Sequence, residues 1–448
     1  MLDRTYLAPL LVLLSPALLM VPAFINGYPL VYSDTSTYLA SGFLWETPFD
    51  RPITYGLFVR LSSLNGASLW LTVYFQSLLV SWTIWLLVSD LMHQWKEWGF
   101  LLVMVLLASF TSLSWTCSQL MPDIFTPIMM LSASLVLVKK GTTARTVVLF
   151  VLFTVSACMH MSHLVTGLAF LLFCTVIFRL PAIRRTIHFS PYRRIALLGL
   201  LTIASVLTMG SAMAKSRHAF FMGAMVEHGI VQAYLQKHCE EKKYRLCQYK
   251  DSLDMRAYEF LWNKSSPFYT MGDFSGTRDE FNEIIYGTLT EPEFILLHIS
   301  ASLKATARQC TLFKMGDGNG PFIAGTELAG RIKEYLPGEY PSYLNDRQNK
   351  GELGFLAAWN AIQAIFVALA LVALLWLWIA TRKKWNEWRI FVVALLSFVV
   401  MNMWASATFA NAIDRLGSKV IWIIPLLALL TLWNKIASMK RNTSISSK

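Results

Sequence analysis

Long apolar runs are the feature that most constrains how this chain can fold. They lie at about 5–25, 69–90, 99–116, 123–138, 146–159, 162–178, 195–214, 356–380, 389–405 and 418–433. Because a membrane-spanning helix needs about 20 apolar residues, the pattern predicts about ten transmembrane helices; the two runs that flank His160 could instead be one broken helix. The chain is 55% hydrophobic and 15% charged, whereas soluble domains are about 25% charged. We therefore expect an all-α polytopic membrane protein.

The distribution of basic residues predicts how these helices are oriented. Lysine and arginine concentrate in alternate connections, around 139–145, 179–194, 382–389 and 435–448, whereas the opposite short connections hold Arg51, Arg60, Arg415 and Lys419. The positive-inside rule assigns the first set to the cytoplasm. We expect a multi-pass protein of the bacterial inner (plasma) membrane with both termini cytoplasmic. The net charge of +12 then belongs to loops that face anionic lipids and does not indicate nucleic acid binding.

These patterns divide the chain into four parts. Residues 1–214 are expected to form an N-terminal transmembrane bundle that includes a first outer loop, 26–68. Residues 215–355 form a polar extracytoplasmic domain, mainly helical because its segments show amphipathic spacing and no strand alternation. Residues 356–433 supply the C-terminal transmembrane helices, and 434–448 a cytoplasmic tail. Within the outer domain, Gly316–Phe322 predicts a flexible loop that could act as a lid.

Cysteines in the outer domain permit one disulfide. Cys239 and Cys247 bracket a short polar stretch, so we expect them to pair and Cys310 to remain free. The alternative is that all three are reduced. Cys117, Cys158 and Cys174 fall in or beside apolar runs and are expected to be packing residues.

Carboxylates mark the outer ends of the predicted bundle. The short outer loops contain Asp34, Glu46, Asp50, Asp123 and Asp414, three of them in the first loop. Ser33 or Asp34 could cap a short helix over SDTSTYL, and a second short helix is expected near 57–64. Asp123 follows Pro122 at the start of a span, so a structural role at a helix N-terminus competes with a catalytic one.

Candidate cationic groups lie near the same surface. Arg51 and Arg415 each stand next to an aspartate, and a guanidinium there suits bidentate contact with phosphate. Lys215 and Arg217 could hold a lipid phosphate or could simply extend to the membrane surface at a helix end. His160 and His163 share one helical face, which suits phosphate donors or buried neutral histidines. The sequence offers no third ligand for a metal beside this pair.

Together, these groups suit glycosyl transfer from a lipid phosphate. A carboxylate from Asp34, Asp123 or Asp50 would accept a proton from the acceptor hydroxyl, and the cations would stabilise the departing phosphate. Nucleotide sugars are not available outside the cytoplasm, so a sugar donor there must be attached to a membrane lipid. Expected partners are thus a lipid-linked sugar donor and membrane lipids. No cofactor is required by the pattern, although a divalent cation could take part.

The motifs also resemble a known family. An apolar first helix, the SDTSTYL segment, the DRPITYG segment and LMPDIF after the third span are similar to the GT-C superfamily of polytopic glycosyltransferases. Within that superfamily, these motifs most resemble those of the mannosyl- and aminoarabinosyl-transferases that use polyprenyl-phosphate sugars. The resemblance implies that Asp34 is the catalytic base and that Arg51 and Arg415 lie near the donor phosphate. It covers the membrane part of the chain and leaves 215–355 without a match.

Two other functions fit the same surface. One is a polysaccharide polymerase or ligase that acts on a lipid-linked substrate. The other is a non-catalytic transporter or flippase, which would normally carry ionisable residues near the bilayer midplane and often contain inverted repeats. The apolar runs here are nearly free of charge and show no repeat, which favours an enzyme of the membrane interface.

Overall fold

The computed structural model describes residues 4–92, 95–187, 189–380 and 385–446. Helix makes up 75% of the structure. In the part of the chain described, extended pairing is limited to an isolated parallel bridge between Leu30 and Gln119. The all-α prediction is therefore confirmed. Arg382, Lys383, Lys384 and Lys448, which contributed to the orientation prediction, lie outside the described residues.

Among the described residues up to Glu227, the structure has fourteen α-helices and a short 3-10 turn at Pro122–Ile124. The helices are α1 (Arg4–Leu14), α2 (Pro16–Leu19), α3 (Val21–Asn26), α4 (Thr35–Leu44), α5 (Thr54–Ser62), α6 (Leu69–Leu91), α7 (Lys96–Phe110), α8 (Leu113–Ser118), α9 (Phe125–Val138), α10 (Thr143–Ala157), α11 (Ser162–Ile177), α12 (Pro181–Arg184), α13 (Tyr192–Ala204) and α14 (Val206–Glu227).

Twelve further α-helices follow in the described residues from Ile230 on, together with a 3-10 segment at Arg245–Ser252. They are α15 (Ile230–Lys242), α16 (Ala257–Trp262), α17 (Pro267–Thr270), α18 (Asp273–Gly276), α19 (Arg278–Thr290), α20 (Pro292–Gln309), α21 (Glu327–Tyr335), α22 (Tyr340–Leu344), α23 (Leu356–Ala380), α24 (Glu387–Phe409), α25 (Asp414–Ile421) and α26 (Ile423–Ser446).

Four helical segments in the described ranges are long and apolar enough to cross a membrane. They are Leu69–Leu91, Leu356–Ala380, Glu387–Phe409 and Asp414–Ile436, and a fifth is obtained if Tyr192–Thr208 and Ala212–Glu227, bent by 97°, count as one span. Other predicted runs form shorter apolar helices, at Tyr6–Leu19, Pro122–Val138, Thr143–Ala157 and Ser162–Ile177. The expected number of about ten spans is therefore not confirmed.

Proline explains why the first apolar run does not form one long helix. Pro16 and Pro22 stand in the first turns of α2 and α3, at the two breaks that divide the run. Proline lacks the N–H needed in a helix interior but is well accommodated in a first turn. The run therefore folds as three short pieces in succession.

Ion pairs join the connections that the charge pattern assigns to one side. The Lys139 ammonium lies 3.4 Å from the Glu387 carboxylate, and Arg145 donates two hydrogen bonds to Asp90 at 2.5 and 2.6 Å. The connections before α7, between α9 and α10 and before α24 consequently meet at one end of the bundle. This arrangement agrees with the predicted alternation of loops.

The segment expected to form one outer domain packs in two different ways. Helices α14 to α20 surround a separate core that includes Tyr234, Phe260 and Phe281. By contrast, Ile332 of α21 and Tyr343 of α22 belong to the main core of the bundle. Residues after about 312 therefore act as a cover fixed to the bundle, beside the first outer loop.

Candidate functional site

Backbone pairing holds the two loops that contain Asp34 and Asp123, predicted to be outer loops, side by side. The Leu120 N–H donates to the Leu30 carbonyl at 2.8 Å, and the Thr35 hydroxyl donates to the Leu120 carbonyl at 3.1 Å. Asp34 directly precedes Thr35, and Asp123 follows Leu120 by three residues. Two carboxylates that are 89 positions apart in sequence are thereby fixed in one region of the structure.

Asp34 stands at the start of α4, where the sequence predicts a helix cap. Its carboxylate makes no capping hydrogen bond to the helix. Instead, its oxygens lie 3.0 Å from Nη1 of Arg51 and 3.6 Å from Nη1 of Arg415. Arg51 also donates from Nε and Nη2 to the two oxygens of Asp50, at 3.1 and 2.6 Å. The side chain of Asp34 is therefore directed into a charged site and not along its own helix.

α25 contributes two cations to this site. Arg415 and Lys419 are four residues apart, which places them on the same face of the helix. Nζ of Lys419 lies 3.2 Å from one oxygen of Asp123, and Nε of Arg415 lies 3.7 Å from the other. Only 2% of Asp123 and 1% of Lys419 are exposed. We did not predict Lys419 as a site residue from the sequence. Its spacing of four residues from Arg415 would have indicated that both cations share one face of a helix.

We call these six residues the charged cluster: Asp34, Asp50, Arg51, Asp123, Arg415 and Lys419. Three carboxylates balance three cations, so the formal charge of the cluster is zero. The side chain of Asp34 is 27% exposed, against 13% for the side chains of Asp50, Arg51 and Arg415. Asp34 is thus the carboxylate of the cluster most accessible from outside.

Arg51 remains a cation in this setting. Burial lowers the pKa of Arg51 by disfavouring its charged form. The charge of Asp34 and the hydrogen bonds to Asp50 raise this pKa by a larger amount. The net result is a pKa well above the ordinary value. Asp50 is occupied by this guanidinium, so the structure supports a role for Asp50 in orienting Arg51 more than the predicted role as a base.

Aromatic rings support both guanidinium groups. The Arg415 guanidinium lies 4.1 Å from the centre of the Tyr32 ring, and that of Arg51 lies 5.3 Å from the centre of the Tyr38 ring. Such cation–π contacts hold the planar groups in a fixed plane and strengthen when shielded from water. The Arg415 backbone N–H also donates to Asp317 at 3.1 Å. The position of Arg415 is therefore set by several independent contacts.

The loop Gly316–Phe322, expected to be flexible, is anchored in the structure. Asn319 accepts a hydrogen bond from Gln119 at 2.7 Å and donates to the Val31 carbonyl at 2.8 Å. Asp414, another of the candidate carboxylates, accepts from the Lys314 backbone N–H at 2.8 Å and holds the start of the loop. The prediction of a flexible lid is wrong for this conformation, because side-chain amides tie the loop to both outer loops.

Some guanidinium nitrogens of the cluster have charge partners but no hydrogen-bond acceptor. Nη1 of Arg51 and both Nε and Nη1 of Arg415 are buried without an acceptor in good geometry. Leaving a buried donor unsatisfied is costly. Tetrahedral oxyanions such as phosphate satisfy several guanidinium N–H groups at once. The donor set therefore fits a phosphate group placed near Asp34.

His160 and His163 differ in whether a ring nitrogen is free to bind a phosphate. His163 is fully buried, its Nδ1 lying 2.7 Å from the Ser156 carbonyl and its Nε2 2.8 Å from the Thr126 hydroxyl. Because a carbonyl only accepts, Nδ1 donates and Nε2 accepts, and neither nitrogen remains for a phosphate. This geometry matches the buried neutral alternative. His160 is partly exposed, accepts from the Ser162 N–H at Nδ1, and therefore carries its hydrogen on Nε2.

Lys215 and Arg217 lie on α14 beyond the 97° bend, and both are exposed. The Lys215 ammonium stands 5.8 Å from the centre of the Phe49 ring, next to Asp50 in sequence. Lys215 is therefore at the rim of the cluster region. Among the described contacts, none brings Arg217 to the cluster, because this limb of α14 belongs to the separate core of the outer domain.

The outer domain contains the predicted disulfide. Cys239 and Cys247 are joined, and Cys310 is a free, exposed thiol. The bond connects the end of α15 with the 3-10 segment Arg245–Ser252. Across the described ranges, the structure has no group of three or more His, Cys, Asp or Glu side chains that could hold a metal ion.

Comparisons with protein-family models, with curated proteins and with solved structures find no match for this chain.

Proposed function

We propose that this protein is a membrane glycosyltransferase that moves a sugar from a polyprenyl-phosphate donor to a hydroxyl of a lipid, glycan or protein acceptor. The observation that supports this most is Asp34, a partly exposed carboxylate held between two arginines that have unsatisfied N–H groups. In this proposal the remaining apolar helices bring the number of membrane-crossing segments to about ten. Both termini are cytoplasmic, and the cluster faces the periplasm of a bacterial inner membrane.

The proposed chemistry follows from the charges of the cluster. The donor phosphate binds to Arg51 and Arg415 and replaces Asp34 as their main partner. Asp34 then takes the proton of the acceptor hydroxyl as its oxygen bonds to the anomeric carbon. The bond between that carbon and the phosphate oxygen breaks, and the electron pair leaves with polyprenyl phosphate. The two guanidinium groups stabilise the charge that develops on this leaving group.

Asp34→Asn tests the base. It preserves the shape of the side chain and removes the proton acceptor, so we expect loss of transfer with normal folding. The measurement is the profile of lipid-linked sugars and glycans in a deletion strain that expresses each variant. If transfer is lost, the lipid-linked sugar donor should accumulate and the glycosylated product should be absent. Glu46→Gln is the matched control, since Glu46 is an exposed carboxylate in the same loop. Product formed by Asp34→Asn at the parental level would exclude Asp34 from the mechanism.

Arg51→Lys tests the phosphate contact in the same strain and in membranes. A lysine supplies a point charge in place of a planar fork, so donor use should weaken more than stability does. We expect a higher KM for the donor and an unchanged KM for the acceptor. An unchanged donor KM would argue against phosphate binding by Arg51.

A further inference from the structure

An exposed apolar stripe runs along α20 in the outer domain. Leu296, Ile299 and Leu303 are 67%, 54% and 66% exposed. Their spacing of three and four residues places them on one side of the helix, and we call them the α20 stripe. The preceding helix, α19, adds the exposed side chains of Tyr286 and Leu289. Contiguous exposed apolar side chains of this kind indicate a surface that is covered in the working protein.

The α20 stripe adjoins the outer end of a candidate membrane span. Ser302 of α20 accepts a hydrogen bond from the Trp404 indole at 2.9 Å and shares another with the Thr408 hydroxyl at 2.8 Å. Both partners belong to the last turns of α24, one of the four long apolar helices. Val400, one turn earlier on α24, is 51% exposed. The apolar surface of the span therefore continues onto α20, and tryptophan typically marks the level of the lipid headgroups.

Charges beside the stripe match the headgroup region of a membrane. Lys304 and Arg308 are exposed, lie four residues apart and flank the stripe on the same helix, and Arg308 also lies 3.8 Å from the Glu227 carboxylate. At the other end, Glu291 and Glu293 form ion pairs with Lys237. Charges at the start of the helix oppose deep insertion, because ionised groups are costly in hydrocarbon. An amphipathic helix with a basic flank instead binds at the interface of an anionic membrane.

We infer that α20 is an interfacial membrane helix, with Leu296, Ile299 and Leu303 inserted among the acyl chains of the outer leaflet and Lys304 and Arg308 among its phosphates. The outer domain then rests on the membrane through this helix. The separate core formed by α14 to α20 is thereby kept at a fixed distance from the membrane surface.

Site-directed spin labelling tests this placement. The background carries Cys158→Ser and Cys310→Ser, since Cys117 and Cys174 are fully buried and do not react. Cysteine is introduced singly at each position of the α20 stripe, and the labelled proteins are reconstituted in vesicles of phosphatidylethanolamine and phosphatidylglycerol. Collision rates are measured with oxygen, which partitions into hydrocarbon, and with a water-soluble nickel complex.

We expect the ratio of oxygen to nickel accessibility to be several-fold higher at the stripe than at two control positions. Lys304→Cys is the control on the same helix, and Lys264→Cys is an exposed reference in a loop of the outer domain. Because all five positions are exposed, the labels should leave thermal unfolding unchanged. Nickel accessibility at the stripe equal to that at Lys264, or exclusion of both reagents as at a contact with another protein, would overturn the inference.

Discussion

Removal of the Lys419 charge should destabilise the protein by removing the nearer of the two cations that offset the buried Asp123 carboxylate. Lys419 and Asp123 are almost completely buried, and their charged atoms lie 3.2 Å apart. At this separation of 3.2 Å and an effective dielectric constant of about 20, their attraction is about 5 kcal/mol. Arg415, the other cation near Asp123, is more distant, at 3.7 Å. Removing one member of a buried ion pair costs roughly 3 to 5 kcal/mol, because the remaining charge loses its nearest partner.

The variant Lys419→Met keeps the length of the side chain and removes the charge. With an unfolding entropy of about 2.1 cal/mol/K per residue over 448 residues, 1 kcal/mol corresponds to about 1 °C in Tm. We therefore expect Tm to fall by about 3 to 5 °C. Adding Asp123→Asn removes the carboxylate that lost its nearer cation and restores the balance of charge in the cluster, so the double variant should recover most of this loss.

A thiol-reactive fluorescent dye provides the assay in detergent solution. Cys117 and Cys174 are fully buried and become reactive only when the bundle opens. Cys158→Ser and Cys310→Ser remove the accessible thiols from the background. Lys237→Met is the control, because this lysine forms ion pairs at the surface, where a lost pair has little effect. A parental Tm for Lys419→Met, or a double variant no more stable than the single one, would refute the reasoning.

Two further predictions concern the segment that covers the bundle. Burial raises the pKa of Asp346 from 3.8 to about 6, so the folded state holds this proton more tightly and stability should fall as pH rises from about 4 to 6. Asp346→Asn should flatten this dependence, because it removes the group that titrates; an unchanged pH profile of Tm would contradict the assignment. Gly318→Ala should lower both Tm and activity, since Gly318 has φ of +75° and an added Cβ would lie 1.8 Å from the Tyr32 ring. Gly320→Ala is its control, with nothing within 4 Å of the added atom, and equal Tm values for the two variants would count against a close contact with Tyr32.

The gathering of the cluster could be predicted from the sequence because of the way helices are connected. Asp34, Asp123 and Arg415 each stand at the end of an apolar run, and alternate ends of runs must meet at one side of a helical bundle. Charge patterning predicted, without any knowledge of packing, that these ends share one side. The sequence does not predict which cation pairs with which carboxylate in the cluster. Separations of about 3 Å between their charged atoms depend on backbone hydrogen bonds such as the one between Leu30 and Leu120.

Lys419 and the loop at Gly316–Phe322 show where prediction from sequence ends. Lys419 follows a polar connection, and the composition of that connection alone predicts an exposed lysine. The burial of Lys419 depends on its ion pair with Asp123, which the sequence does not show. The loop is rich in glycine, which predicts flexibility, yet Asn319 is bonded to Gln119 and Val31 from two distant segments. Not every apolar run forms one long helix, because prolines such as Pro16 and Pro22 divide the first run and hydropathy does not register such breaks.

The balance of charge in the cluster connects its stability with its proposed chemistry. Three carboxylates and three cations cancel, so the resting site can be buried without a net charge. Binding of an anionic phosphate adds negative charge and competes with Asp34 for Arg51 and Arg415. In the proposed mechanism, Asp34 exchanges its two arginine partners for the acceptor hydroxyl once the donor phosphate is in place. Asp123 cannot respond in the same way, because Lys419 remains beside it. In the proposed mechanism, the cluster therefore separates Asp123, a carboxylate that positions Arg415, from Asp34, the carboxylate that takes the proton.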